Sequence, residues 1–248
     1  MIKGITFDLW DTVFIDDSDE PKRKAAGRPT KPIERRQIVH QFINKHKSVS
    51  LEIVTAVYDA VDAAFRKVWH EQFVTWTVHE RLSIILKGLK VELPESEMNE
   101  LVRLHEEMEL EFKPDFIPGV HEAIRSLSKK YKLCVISDTI FSPGRALREL
   151  LASEDILQYF AGFVFSDEIG FSKPHPDVFK NAAQLLDLQM NELVHIGDRE
   201  HNDITGAHEH GLKAVLCTAA IDRDSANTKA DGMFSDYGEL QKIIDGLS

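Results

Sequence analysis

Cysteine is scarce. Only Cys134 and Cys217 occur in 248 residues, both inside apolar runs and without CxxC or metal-ligand spacing, which excludes a disulfide-built scaffold and predicts two buried, reduced thiols. An excess of positive charge is missing too. Lys and Arg number 30 against 41 Asp and Glu, a formal charge of −11, so the chain offers no global basic footprint for nucleic acid or an anionic membrane surface. No apolar run approaches the roughly 18 residues that span a bilayer, and Asp8 interrupts the segment where a signal peptide is apolar. These absences lead us to expect a cytoplasmic protein whose partner is a small molecule, with no nucleic acid and no membrane.

The middle of the chain lacks strands. Residues 33 to 112 carry helical patterns only: 33–45, then Leu51, Val54, Val61, Phe65 and Val68 at helical spacing, then a Thr77/Glu80 capping box opening a helix that Pro94 ends, then Leu101, Leu104 and Met108. Four such helices are enough for a small bundle. On either side of this stretch, apolar runs at 2–7, 133–136, 162–165, 193–196 and 214–217 alternate with helical patterns, and a closing helix is expected from Tyr237. That alternation predicts an α/β fold, a Rossmann-like parallel sheet with helices on both faces. The expected division is a core of residues 1–15 and 115–248 with an inserted helical cap of residues 16–114. The cap opens on a basic segment, Lys22 to Arg36, read as a loop or flap because Gly27, Pro29 and Pro32 break regular structure.

In a parallel sheet, ligands bind beyond the carboxyl ends of the strands. Strand one ends at Asp8, the 133–136 strand at Ser137, and the 193–196 strand at Gly197-Asp198, with Asp203 five residues on. The strand near Phe165 leads to Lys173. Three carboxylates, a lysine and a hydroxyl then converge on one crevice. A carboxylate can attack an electrophile while a divalent cation on other carboxylates screens an anionic substrate, and Mg²⁺ suits an all-oxygen site. Ser137 and Lys173 are placed to donate to phosphate oxygens. His195, on a buried strand, reads as a satisfied core histidine, and Trp69 and Trp76 as core or interface residues.

In order, Asp8 to Thr12, Ser137, Lys173-Pro174 and Gly197-Asp198 to Asp203 resemble the four motifs of the haloacid dehalogenase superfamily, and the insertion after the first motif is similar to the cap of its subfamily I. The resemblance implies a hydrolase with Asp8 as nucleophile, Ser137 and Lys173 as catalytic residues that also bind substrate together with Thr12, and Mg²⁺ held by Asp8, the Trp10 carbonyl, Asp198 and Asp203. One feature of the family's phosphatases is absent. Where they carry a second aspartate as proton donor, this chain has Trp10. The resemblance therefore implies a phosphatase of a small phosphorylated metabolite acting through an aspartyl-phosphate. The alternatives are a 2-haloacid dehalogenase-like or phosphonatase-like hydrolase, or a non-catalytic protein that binds a phosphate ligand.

Overall fold

Strand β1 (Gly4–Phe7) has no solvent-facing residue, because it runs through the middle of a six-stranded parallel sheet with the order β3-β2-β1-β4-β5-β6. The other strands are β2 (Lys132–Ser137), β3 (Phe160–Phe165), β4 (Leu193–Gly197), β5 (Lys213–Cys217) and β6 (Gly232–Phe234). The structure is a computed structural model and describes residues 1–223 and 225–247. Each central strand feeds two cores. Leu133 and Val135 point into one apolar layer and Cys134 and Ile136 into the other, and on β5 Val215 and Cys217 oppose Ala214 and Leu216 in the same way. Burial on both faces is why these strands read as unbroken apolar runs. Cys134 and Cys217 are free, buried thiols on opposite faces of the sheet.

The insertion after β1 is helical, with its own core. Its helices are α1 (Glu20–Ala25), α2 (Lys31–Asn44), α3 (Leu51–Gln72), α4 (Val78–Leu89), α5 (Glu95–Glu106) and the short α6 (Met108–Glu111). Apolar faces of α2 to α5 meet around Val39, Val54, Leu82, Ile85 and Leu101. The Thr77/Glu80 capping box opens α4 as expected. Its end does not wait for Pro94: Lys90, in the left-handed region at φ 54°, closes it four residues earlier, and Pro94 instead precedes α5.

The basic segment 22–36 is the clearest correction. It is largely helix, not a flap. Pro21 and Pro32 fall in the first turns of α1 and α2, where a missing backbone N–H costs nothing. Two of its cations are buried in ion pairs, Arg23 with Glu34, and Lys31 with Asp19 at 2.8 Å and Glu109 at 3.1 Å.

Within the cap, His105 on α5 is fully buried, with Nδ1 2.8 Å from the Leu101 carbonyl and its ring stacked on Tyr58. Burial pushes its imidazole down to about 3 from 6.5. The folded pKa lies below the unfolded one, so the unfolded chain binds the proton first. The stabilisation is complete above pH 6.5 and is lost as the pH falls toward 3, by roughly 1.4 kcal/mol per unit. His105→Phe, which keeps a ring against Tyr58, should flatten this dependence. The difference in melting temperature between wild type and variant at neutral and mildly acid pH measures it; a constant difference would contradict the assignment.

Candidate active site

Register brings the expected residues to one edge of the sheet. Phe7 lies opposite Val135 on β2 and Ile196 on β4. Asp8 follows Phe7 directly, and Ser137 and Asp198 come two residues after Val135 and Ile196, so the three gather at the carboxyl ends of three adjacent strands. The Asp8 amide donates to the Ile196 carbonyl at 2.8 Å, which fixes this placement.

Lys173 is the electrostatic centre. Its ammonium is buried and lies 2.8 Å from Asp8 Oδ1 and 2.7 Å from Asp203 Oδ1. Burial alone would lower its pKa, but Asp203 and Asp8 outweigh that and raise it, so the lysine stays charged. Asp203 is itself saturated. Besides Lys173 it meets His195 Nε2 at 3.1 Å and accepts from the Arg199 amide at 2.9 Å. Burial pushes the Asp203 carboxyl up, yet Lys173 and His195 hold it well below the ordinary carboxylate range. Its approach to β4 needs Gly197, where an added Cβ would sit 2.2 Å from the Asp203 carboxyl carbon. His195 is a satisfied core histidine, as the sequence suggests: Thr6 Oγ1 is 2.7 Å from Nδ1, and burial lowers its pKa.

The three aspartates crowd each other. One oxygen from each of Asp8, Asp198 and Asp203 lies within 4.8 Å of the others, all in buried residues. Burial raises the Asp8 carboxyl against the pull of Lys173. Burial, then repulsion from Asp203 and Asp8, pushes Asp198 up to about 8. A cation among these oxygens would remove the repulsion, so the donor set fits a divalent metal, and an oxygen-only set fits Mg²⁺. In the present arrangement Arg223 supplies part of that charge. It pairs with Asp198 and, at 2.6 Å, with Asp11 Oδ2. Asp11 is held at φ 53° with its other oxygen accepting from the Asp16 amide.

A small pocket of about 110 Å³ opens on Asp8, Trp10, Lys173, Asp198 and Asp203. Ser137 and Thr12 do not line it. Both are buried, each with a hydroxyl oxygen that makes no hydrogen bond. Sequence reasoning misses three participants. Asp138, next to Ser137, also lines the pocket, accepts from the Lys173 amide at 2.9 Å and is pushed up to about 7 chiefly by burial. Its position at a strand end is the available signal. Arg223 carries no local signal, being paired with residues far away in sequence. Trp69, read as core or interface, instead lines the pocket at the end of α3. The cap is clasped there to the Lys173 loop, with the Ser172 amide donating to the Phe73 carbonyl at 2.8 Å and the Thr75 amide to the Gly170 carbonyl at 3.0 Å.

This sheet, its helical insertion and its strand-end carboxylates define a class, and a family model agrees: the model of haloacid dehalogenase-like hydrolases matches residues 2–211, and the chain belongs to that family. Among curated relatives, the glyceraldehyde 3-phosphate phosphatase of Pyrococcus abyssi is 34% identical over 100 residues, 40% of this chain and 41% of that protein. The pyrophosphatase PpaX of Bacillus cereus is 27% identical over 163 residues, 63% of this chain and 73% of that protein. The chain thus spans less than half the length of the first of these. Two solved structures share the fold: a 2-haloacid dehalogenase from Pseudomonas syringae pv. Tomato, with TM-score 0.67 at 19% identity over all of both chains, and a HAD phosphatase from Thermococcus onnurineus, with TM-score 0.65 at 20% identity over 99% of each. Among the described residues no helix is long and apolar enough to cross a membrane.

Proposed function

We propose that the protein is a Mg²⁺-dependent phosphatase of small phosphorylated metabolites in which Asp8 is the nucleophile. The observation that carries this reading is the Asp8, Asp198 and Asp203 cluster with the Lys173 ammonium bridging two of its members. Asp8 forms a bond to phosphorus as the ester oxygen leaves; water then attacks the same phosphorus, releasing phosphate and restoring the carboxylate. Lys173 holds Asp8 in place and balances the charge of the phosphoryl oxygens. Ser137 and Thr12 contribute hydroxyls that have no other partner. Mg²⁺, held by Asp8, Asp198 and the Trp10 carbonyl with Asp203 behind them, would supply further charge compensation.

Trp10 shapes the substrate expectation. It cannot protonate a leaving alkoxide, so leaving groups that need little protonation, such as those of anhydrides and acyl phosphates, suit this site best. The pyrophosphatase relative is consistent with that preference. The same residue favours a second reading, dehalogenation of a 2-haloacid, because halide leaves without a proton; the crowded carboxylates weigh against it.

A panel of pyrophosphate, acetyl phosphate, glyceraldehyde 3-phosphate and 2-chloropropionate, each with Mg²⁺ or with EDTA, separates the readings. Phosphate release that requires Mg²⁺ and is fastest from the anhydrides is expected. Chloride release would favour the second reading. Phosphate release indifferent to EDTA, or none from any compound, would refute the first.

A further inference from the structure

Beside the small pocket, and sharing Trp10, Trp69 and Ile140 with it, lies a cleft of about 420 Å³ between cap and core. Two arginines from different cap helices reach it, Arg35 on α2 and Arg81 on α4, and both are more than nine-tenths buried. Their guanidinium carbons lie 3.5 and 4.2 Å from the centre of the Phe141 ring, in the loop after β2. Arg81 Nη2 donates to the Ile140 carbonyl. Arg35 Nε and Nη2, Arg81 Nε and the Trp69 Nε1 make no hydrogen bond. Buried guanidinium donors are costly to leave unmet.

The nearby carboxylates do not satisfy them. Glu109 stands 3.6 Å from Arg35 Nη2, beyond hydrogen-bond reach, and is already engaged by Lys31 at 3.1 Å and Ser142 at 2.5 Å. Asp62 is 3.7 Å from Arg81 and also 3.7 Å from Arg36. Each of these carboxylates is shared with a second cation, although Lys31 also has Asp19 and Asp17 and Arg36 also has Asp59; Asp16, Asp17 and Arg66 line the same cleft. Burial lowers both guanidinium pKa values, that of Arg81 to about 10, with the neighbouring anions offsetting only part. An arginine pair over one ring that lines a cavity with guanidinium donors unmet suits a planar or tetrahedral oxyanion.

We propose that Arg35 and Arg81 form a second anion subsite that binds a carboxylate or phosphate at the far end of the substrate, so that the preferred substrates carry two anionic groups, one reacting at Asp8 and one held by the cap. The position of the reacting group rests on the phosphatase reading above. The cleft holds the carbon skeleton between the two, with the Trp69 indole N–H as a further donor.

Equilibrium titration of the Asp8→Asn protein with Mg²⁺ tests this without turnover. Three matched ligands are compared: glycerol 3-phosphate, whose far end is neutral, 3-phosphoglycerate, which ends in a carboxylate, and propanediol bisphosphate, which ends in a phosphate. At least one doubly anionic ligand should bind about 10-fold tighter than glycerol 3-phosphate, the size expected for charge-assisted bonds to buried donors. Whichever it is identifies the anion. The gain should shrink to about 3-fold or less in Arg35→Gln and in Arg81→Gln, with glycerol 3-phosphate binding unchanged. Arg35→Lys, which keeps the charge and loses the fork, serves if a glutamine variant fails to fold. Equal affinity for all three ligands, or a gain that survives both substitutions, would overturn the proposal. Wild-type protein that releases no phosphate from any ester, anhydride or acyl phosphate, while its Asp8→Asn form keeps the preference, would refute the phosphatase reading and leave the subsite standing.

Discussion

Asp8→Asn is expected to lower phosphate release by about 10⁴-fold while leaving the protein folded and, without metal, more stable than the wild type. The loss follows from chemistry, since an amide oxygen cannot form the acyl phosphate that splits the reaction into two steps. The gain in stability follows from the site. Burial raises the Asp8 carboxyl pKa, so its ionised form costs the fold free energy above that pKa, and replacing it with a neutral isostere removes the cost. Lys173 is not stranded, because Asp203 remains 2.7 Å away. Initial rates with Mg²⁺ and thermal melts in EDTA check the two halves separately. Retained turnover would remove Asp8 from the chemistry; a large fall in melting temperature would mean that Lys173 depends on Asp8 more than the geometry implies.

Trp10→Asp is expected to act in the opposite direction on phosphate monoesters, raising turnover by about 10²-fold, the lower part of the range for general acid catalysis. Trp10 lines both the small pocket and the cleft, with its ring edge-on to the buried Phe14 at 4.6 Å. An aspartate there places a proton donor beside the leaving group but removes part of the wall. Trp10→Phe separates these effects, since it keeps an aromatic wall and adds no acid. The rise should be confined to Trp10→Asp and to poor leaving groups, with anhydride hydrolysis little changed. A fall on monoesters would count against the missing acid as the limit on rate. An unchanged rate would direct attention to Asp138, whose half-buried carboxyl is pushed up to about 7.

Asp8 and Trp10 are both legible in the sequence, and so is most of the site around them. Asp8, Ser137 and Asp198 sit at strand ends, and in a parallel sheet all the carboxyl ends share one edge, so their convergence follows once the strands are recognised. Motif spacing picks out Lys173 and Asp203; it carries no trace of their ion pair or of the role of Gly197 in permitting it. Thr12 and Ser137 are buried with hydroxyls that have no partner and do not line the small pocket, a distinction that spacing does not express. The basic segment resembles a flap in sequence because proline is equally common in loops and in the first turn of a helix, and because its cations cannot be matched along the chain to partners as distant as Glu109 and Glu111.

By itself the sequence determined the doubly covered sheet, the helical insertion and the edge on which the carboxylates gather, because burial along one strand or helix is written in the period of its own apolar residues. The tertiary structure alone decided that Arg35 and Arg81 are buried over Phe141, that Trp69 joins the small pocket to the cleft, and that Arg223 reaches Asp198. These contacts join side chains from elements far apart in the chain. Their charge balance depends on packing distances and on the removal of water, neither of which has a local period to read.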